Sequence, residues 1–186
     1  MGLISRCVPG KKENGSVFNH ASAWFVLAAF RMGKIEDACR LYRKMLPPVV
    51  SNTAGIDRYE TEPYVYSEYV TSPENADAGQ ASHSWLTGTA VWMYYTGISH
   101  MLGVRAEYHG LRIDPRIPKE WDGFHIKRRF RGKCVDIRVH NPRHLHSGVQ
   151  KMMVNGTTTD GNFLNTAKIE SELINIEITL QEEKNS

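Results

Sequence analysis

Residues 84–103 read Ser84-Trp85-Leu86-Thr87-Gly88-Thr89-Ala90-Val91-Trp92-Met93-Tyr94-Tyr95-Thr96-Gly97-Ile98-Ser99-His100-Met101-Leu102-Gly103. Apolar residues fall on most sides of a helix of period 3.6, so the spacing predicts a buried helix over about 84–102, capped by Ser82 or Ser84 and stopped at Gly103. Beyond Gly103 the period changes. Residues 111–114, 124–130, 134–140, 149–154 and 173–180 read as strands, and the last four show much alternation. Arg131-Gly132-Lys133 and Val154-Asn155-Gly156-Thr157 read as hairpin turns. Five strands so spaced predict an antiparallel sheet or sandwich.

Upstream, residues 1–18 read as loop. A second buried helix is expected over 19–32, with Asn19 as N-cap and Gly33 as stop. An amphipathic helix follows over 35–46, with Ile35, Ala38, Leu41, Tyr42 and Met45 on one stripe and Glu36, Asp37, Arg40, Arg43 and Lys44 opposite. Pro47-Pro48 ends it. A long loop then runs to about 82, with an extended piece over 62–70. Buried, amphipathic, buried is the alternation of inner and outer helices in a layered α/α barrel. Three helices cannot close such a barrel, so their apolar faces would stay exposed unless more chain covers them. The expectation is the tail of a longer chain, or a chain that associates. The polar tail over 181–186 is expected to fray.

The 186 residues include 23% charged and 41% hydrophobic positions, which is the composition of a globular chain. Lys and Arg exceed Asp and Glu by 23 to 20, too little for a nucleic-acid footprint. Lys127-Arg128-Arg129-Phe130-Arg131 divides its charges between the faces of an alternating strand. No apolar run approaches the ~18 residues of a membrane span, and residues 1–6 fit neither a signal peptide nor a myristoylation pattern. Cys7, Cys39 and Cys134 are too scattered for a disulfide framework or zinc ribbon, so a cytoplasmic setting is expected. His140, His144 and His146 have an HxxxHxH spacing but no nearby carboxylate or cysteine to complete a zinc site, and no metal is expected. No nucleophile-elbow motif supports a Ser/His/Asp triad.

Three segments carry more local information than packing needs. Lys12-Glu13-Asn14-Gly15-Ser16-Val17-Phe18-Asn19-His20 puts a histidine at a helix N-terminus, where free N–H groups favour anions; it also reads as a solvated loop with a capping-region residue. In Ser82-His83-Ser84-Trp85-Leu86-Thr87-Gly88-Thr89, Thr87 offers a hydroxyl, and Gly88 lets either a ligand or a packed helix approach the backbone. Glu62-Pro63-Tyr64-Val65-Tyr66-Ser67-Glu68-Tyr69 interleaves carboxylates with tyrosines, which suits sugar hydroxyls and C–H faces, or an aromatic loop packed under a barrel.

Together these stretches resemble the inverting disaccharide phosphorylases of glycoside hydrolase family 94, which include cellobiose, chitobiose and laminaribiose phosphorylases. Gly110-Leu111-Arg112-Ile113-Asp114-Pro115, Ile117-Pro118, Phe130-Arg131-Gly132 and His140-Asn141-Pro142 continue the resemblance in order, over about 10–142. It implies an α+β fold: the last helices of an (α/α)6 barrel over 1–103, then a C-terminal antiparallel β-sandwich-like domain over 104–186. It implies a glycosyltransferase-type reaction in which inorganic phosphate, as co-substrate and with no cofactor, cleaves a β-linked gluco-disaccharide or oligosaccharide to an α-sugar 1-phosphate. Carried over position by position, His20, Thr87 and Gly88 would bind phosphate, and Lys12, Glu13 and Glu68 would bind sugar. Glu68 stands where better-known members usually have Gln. No residue here matches the family's general-acid Asp or phosphate-binding Arg, which the resemblance places upstream. The expectation is therefore no catalytic residue in this chain, no activity from it alone, and the rest of a phosphorylase chain or a homodimer partner as its partner. The rival expectation is a non-catalytic carbohydrate-binding or interaction module; a truncated reading frame is the third.

Overall fold

In the stretch Asn19–Arg31, Ala23, Val26, Leu27 and Phe30 recur at helical spacing, and in the computed structural model they form the buried face of helix α1. The structure describes residues 2–182, in two units, one up to Thr96 and one from Gly97. In the first unit α1 is buried on that one face, while Trp24 and Phe25 are exposed. Burial on most sides was the expectation from composition, and in this chain one side is covered. Asn19 is not the N-cap: Phe18 holds that position, and Asn19 Nδ2 donates to the carbonyl and hydroxyl of Ser67 at 2.9 and 3.0 Å. Helix α2 (Ile35–Lys44) buries Ala38 and Cys39, and the Tyr42 hydroxyl donates to Met93 O at 3.2 Å.

Pro47 and Pro48 do more than end α2. They form the first turn of α3 (Pro47–Ala54), where a fixed φ and a missing N–H cost nothing. Helix α4 (Ile56–Tyr59) follows, so the expected long loop is partly helical. Val49-Val50-Ser51-Asn52-Thr53 has no apolar period to reveal it. Strands β1 (Val17–Phe18), β2 (Ser67–Val70) and β3 (Ala81–Ser84) make an antiparallel sheet in that order. The helix expected over 84–102 is shorter at its start: α5 spans Thr89–Thr96 and passes into a π-helical turn, Gly97–Met101. Thr87 Oγ1 accepts the Thr89 N–H at 3.2 Å, a role assigned above to Ser82 or Ser84, which lie in β3.

The second unit contains β4 (Val104–Glu107), β5 (Gly110–Ile113), β6 (Gly123–Phe130), β7 (Lys133–His140), β8 (Lys151–Val154), β9 (Thr157–Asp160), β10 (Phe163–Leu164) and β11 (Leu173–Thr179). Two sheets form, β10-β5-β4 and β6-β7-β11-β8-β9. Their apolar rows meet in one core, with Leu111, Ile113 and Leu164 from the first and Ile137, Met152, Ile174, Ile176 and Ile178 from the second. The antiparallel expectation fails at one place: β11 pairs parallel to β7, because it returns through a long connection and enters between β7 and β8. Both expected hairpins exist, with Phe130 opposite Lys133 and Val154 opposite Thr157. Arg131 and Gly132 (φ 50° and 79°) and Asn155 and Gly156 (φ 47° and 83°) are left-handed, as a two-residue I′-type turn requires.

On the outer face of β6 and β7, Asp136 is approached by His125 Nε2 at 2.7 Å, Lys127 Nζ at 3.3 Å and Arg138 Nε at 3.7 Å. Burial pushes its carboxyl up, but the hydrogen bonds from His125 and Lys127 outweigh this and hold its pKa below the ordinary 3.8. The folded state then binds fewer protons than the unfolded state, so Asp136 adds stability above that value and loses it as pH falls through its folded pKa. Asp136→Asn should lower the melting temperature by a constant amount above about pH 5, and the gap to the unsubstituted protein should close by about pH 2. A gap that is flat down to pH 2 in scanning calorimetry would contradict the ion-pair account.

His144 and His146 do not converge: their Nδ1–H groups donate to Lys119 O and Ile117 O, each at 2.9 Å. Among the described residues there is no group of three or more His, Cys, Asp or Glu that could hold a metal, and no helix long and apolar enough to cross a membrane. The tail expected to fray lies partly outside the described residues; within them, Gln181 N–H donates to Gly148 O at 3.0 Å.

Candidate functional site

The β1-β2-β3 sheet brings together the three segments singled out in the sequence. Phe18 pairs with Tyr69, and Ser67 pairs with Ser84. The loop before β1 thereby lies beside β2, and Lys12 Nζ donates to Glu68 Oε2 at 3.1 Å. That hydrogen bond raises the Lys12 pKa above its ordinary value. The same Glu68 oxygen lies 3.5 Å from His83 Nδ1, which also meets Ser82 Oγ at 2.7 Å. Tyr69 is close to both: Lys12 Nζ lies 6.0 Å from its ring centroid, and the His83 ring 5.9 Å. Glu13, the other expected sugar ligand, is exposed next to this cluster in sequence. Nearby, Trp85 Nε1–H donates to Glu62 at 3.3 Å, and the Glu62 backbone N–H, Ser84 and Trp85 together hold the Glu62 carboxyl below its usual range.

The second cluster joins the N-terminal ends of α1 and α5. His20 is in the first turn of α1, and Gly88 immediately precedes α5. A Cβ on Gly88 would lie 2.8 Å from His20 Cε1 and 3.4 Å from its Nε2. The glycine is thus needed for close approach, and what approaches it is the imidazole. Trp24 meets that ring edge-on at 4.7 Å, Trp92 lies at 6.4 Å, and Trp24 and Trp92 pack at 5.8 Å. His20 Nε2 is buried and has no hydrogen-bond partner among the described residues. Leaving such an atom unpaired costs about 1–3 kcal/mol, a cost that an added hydrogen-bond partner would remove. Thr87 Oγ1 lies 2.6 Å from Thr89 Oγ1. If the Thr89 hydroxyl donates, the Thr87 proton is free for another acceptor.

Residues 1–103 match the catalytic domain of the glycosyl hydrolase 94 superfamily. The chain belongs to this superfamily. Residues 104–147 match the C-terminal domain of glycosyl hydrolase family 65. Among curated relatives, the N,N'-diacetylchitobiose phosphorylase of Vibrio proteolyticus is 35% identical over 161 residues, covering 87% of this chain and 20% of the relative. The 3-O-beta-D-glucopyranosyl-beta-D-glucuronide phosphorylase of Paenibacillus borealis is 34% identical over 155 residues, covering 83% of this chain and 20% of the relative. The cyclic beta-(1,2)-glucan synthase NdvB of Rhizobium meliloti (strain 1021) is 36% identical over 160 residues, 85% of this chain but 6% of its own length. The chain spans about a fifth of the length of the two phosphorylases.

Within the superfamily 94 segment, the residues expected at the site thus form two sets. His20 and Gly88 are in contact, with Thr87 next in sequence, and Lys12 is bonded to Glu68. Sequence reasoning passed over His83. Its position two residues before Trp85 gave no signal, because strand pairing rather than spacing turns it toward Glu68.

Proposed function

We propose that the chain is the C-terminal part of a glycoside phosphorylase that cleaves a β-glucosidic disaccharide or oligosaccharide with inorganic phosphate. Residues 1–103 would be the last helices of its (α/α)6 barrel and residues 104–186 its β-sandwich-like domain. The helix order supports this. His20 meets Gly88 and Trp24 meets Trp92, so α1 and α5 run side by side in one direction, as inner barrel helices do. The exposed apolar residues Trp24, Phe25, Val91 and Tyr94 suit cover by the remainder of the phosphorylase chain or a second copy. Cys7, Cys39 and Cys134, too scattered in sequence for a disulfide framework, suit a reducing cytoplasm.

The observation that carries the proposal is the buried, unpartnered His20 Nε2 beside Gly88 at two helix N-termini. As a donor it would bind one phosphate oxygen, the Thr87 hydroxyl a second and the Gly88 N–H a third, in the favourable field of both helix ends. Lys12, Glu13 and Glu68 would hold sugar hydroxyls. Phosphate would then attack the anomeric carbon from the face opposite the leaving oxygen, inverting it, while a general acid outside this stretch protonates that oxygen. No residue here takes the acid's role, so the chain alone should turn over no disaccharide.

Titration of inorganic phosphate followed by ³¹P NMR line width tests the reading. The chain should show saturable binding on the order of millimolar, and His20→Ala should weaken it about tenfold or more. Equal binding by both proteins would overturn the phosphate site. Release of phosphate from glucose 1-phosphate and glucose by the chain alone would overturn the assignment of the acid elsewhere.

A further inference from the structure

His83 has no part in the reading above, yet it and Lys12, from two separate segments, reach one carboxylate oxygen. Lys12 and His83, which approach Glu68 Oε2 at 3.1 and 3.5 Å, have φ of 52° and 54°. A residue with a Cβ rarely adopts that left-handed conformation, and such outliers gather where function holds them. Here two of them, from separate segments, meet at one atom. Ser82 Oγ and Glu68 Oε2 both approach His83 Nδ1, so Nε2 is the ring atom left to face a ligand. The Glu68 side chain is 19% exposed and those of Lys12 and His83 are 35% and 37% exposed, so the cluster is anchored inside and accessible at its rim.

The charges decide what such a rim accepts. The Lys12 ammonium is neutralised by Glu68, and a carboxylate, unlike the amide of Gln, has no donor for a ligand carboxylate and repels it. A sugar hydroxyl can donate to Glu68 and accept from Lys12, or pair with His83 Nε2. We propose that His83, Lys12 and Glu68 form a charge filter that reads hydroxyls of a neutral hexose and rejects acidic sugars such as uronates, with His83 as a specificity-determining residue. The proposal rests on the phosphorylase reading for the presence of a sugar site, and it adds the class of sugar.

The test is ¹H–¹⁵N chemical-shift titration of the full chain with methyl β-glucoside and with methyl β-glucuronide. The chain should bind the glucoside about tenfold or more tightly than the glucuronide. Glu68→Gln should free the Lys12 charge and reverse the preference, and added salt should weaken its glucuronide binding, a response a purely structural defect would not produce. His83→Asn keeps a side chain that tolerates positive φ. It should weaken glucoside binding by roughly three- to tenfold with unchanged amide dispersion. Equal binding of both sugars, binding of neither, or an unchanged preference in Glu68→Gln overturns the filter. Phosphate titration of the same samples separates the two ideas: phosphate bound without sugar selectivity removes the filter alone, and no phosphate bound removes the phosphorylase reading as well.

Discussion

Gly88→Ala should weaken phosphate binding about tenfold or more and destabilise the first unit by roughly 1–3 kcal/mol. The added Cβ would sit 2.8 Å from His20 Cε1 and 3.2 Å from its Nδ1. The ring has little room to yield, since Trp24 meets it at 4.7 Å and Trp92 at 6.4 Å. The two effects separate in the double variant. His20→Ala with Gly88→Ala removes the clash, so urea melts should recover most of the lost stability, while ³¹P titration should show phosphate binding still lost. Coupling of this kind is the mark of residues in contact. Additive stability changes would mean that His20 does not stand where the glycine requires it to.

Ile137→Ala should cost about 2–5 kcal/mol and lower the melting temperature of the second unit by at least about 10 °C. Ile137 is fully buried in β7, with Ile126 beside it on β6 and Ile176 on β11. Truncation leaves a cavity on the core face of β7, a strand paired on both sides, so collapse around it is limited. Ile126 is only partly buried, and Ile126→Ala should cost clearly less. Calorimetry that ranks the two the other way would place the centre of the core elsewhere.

What was legible in the sequence depended on whether the signal was local. Asn155-Gly156 and Arg131-Gly132 declare their turns through the backbone angles they accept, and the strands around them follow. The motif stretches from Lys12 to Thr89 were specific enough in order and spacing to point to the family that residues 1–103 match. Helix α3 was hidden because Pro47-Pro48 reads equally as an end or a beginning. The start of α5 was misplaced because Ser82 and Ser84 are good caps by type, while their backbone is taken by pairing with Tyr69 and Ser67. Strands β4, β9 and β10 are short, and β9 is exposed along its whole length, so no alternation marks it. The contact between His20 and Gly88 spans two distant segments, and the reach of His83 to Glu68 depends on strand register. Neither is a property of any local stretch.

The parallel place of β11 sets the order in which the large sheet can be completed as the chain leaves the ribosome. The β6–β7 hairpin emerges first and is contiguous, so it can close early. Its row Val135, Ile137 and Val139 lies beside Ile174, Ile176 and Ile178, which follow more than thirty residues later. Strands β8 and β9 appear in between and form their own hairpin, yet β8 reaches the sheet only through β11. Synthesis therefore passes through an interval with two finished hairpins and an empty slot between them, each offering an unpaired edge to any passing strand. A chain ending just before Leu173 and released from the ribosome should hold both hairpins and be the species most readily captured by a chaperone that recognises unpaired strand edges.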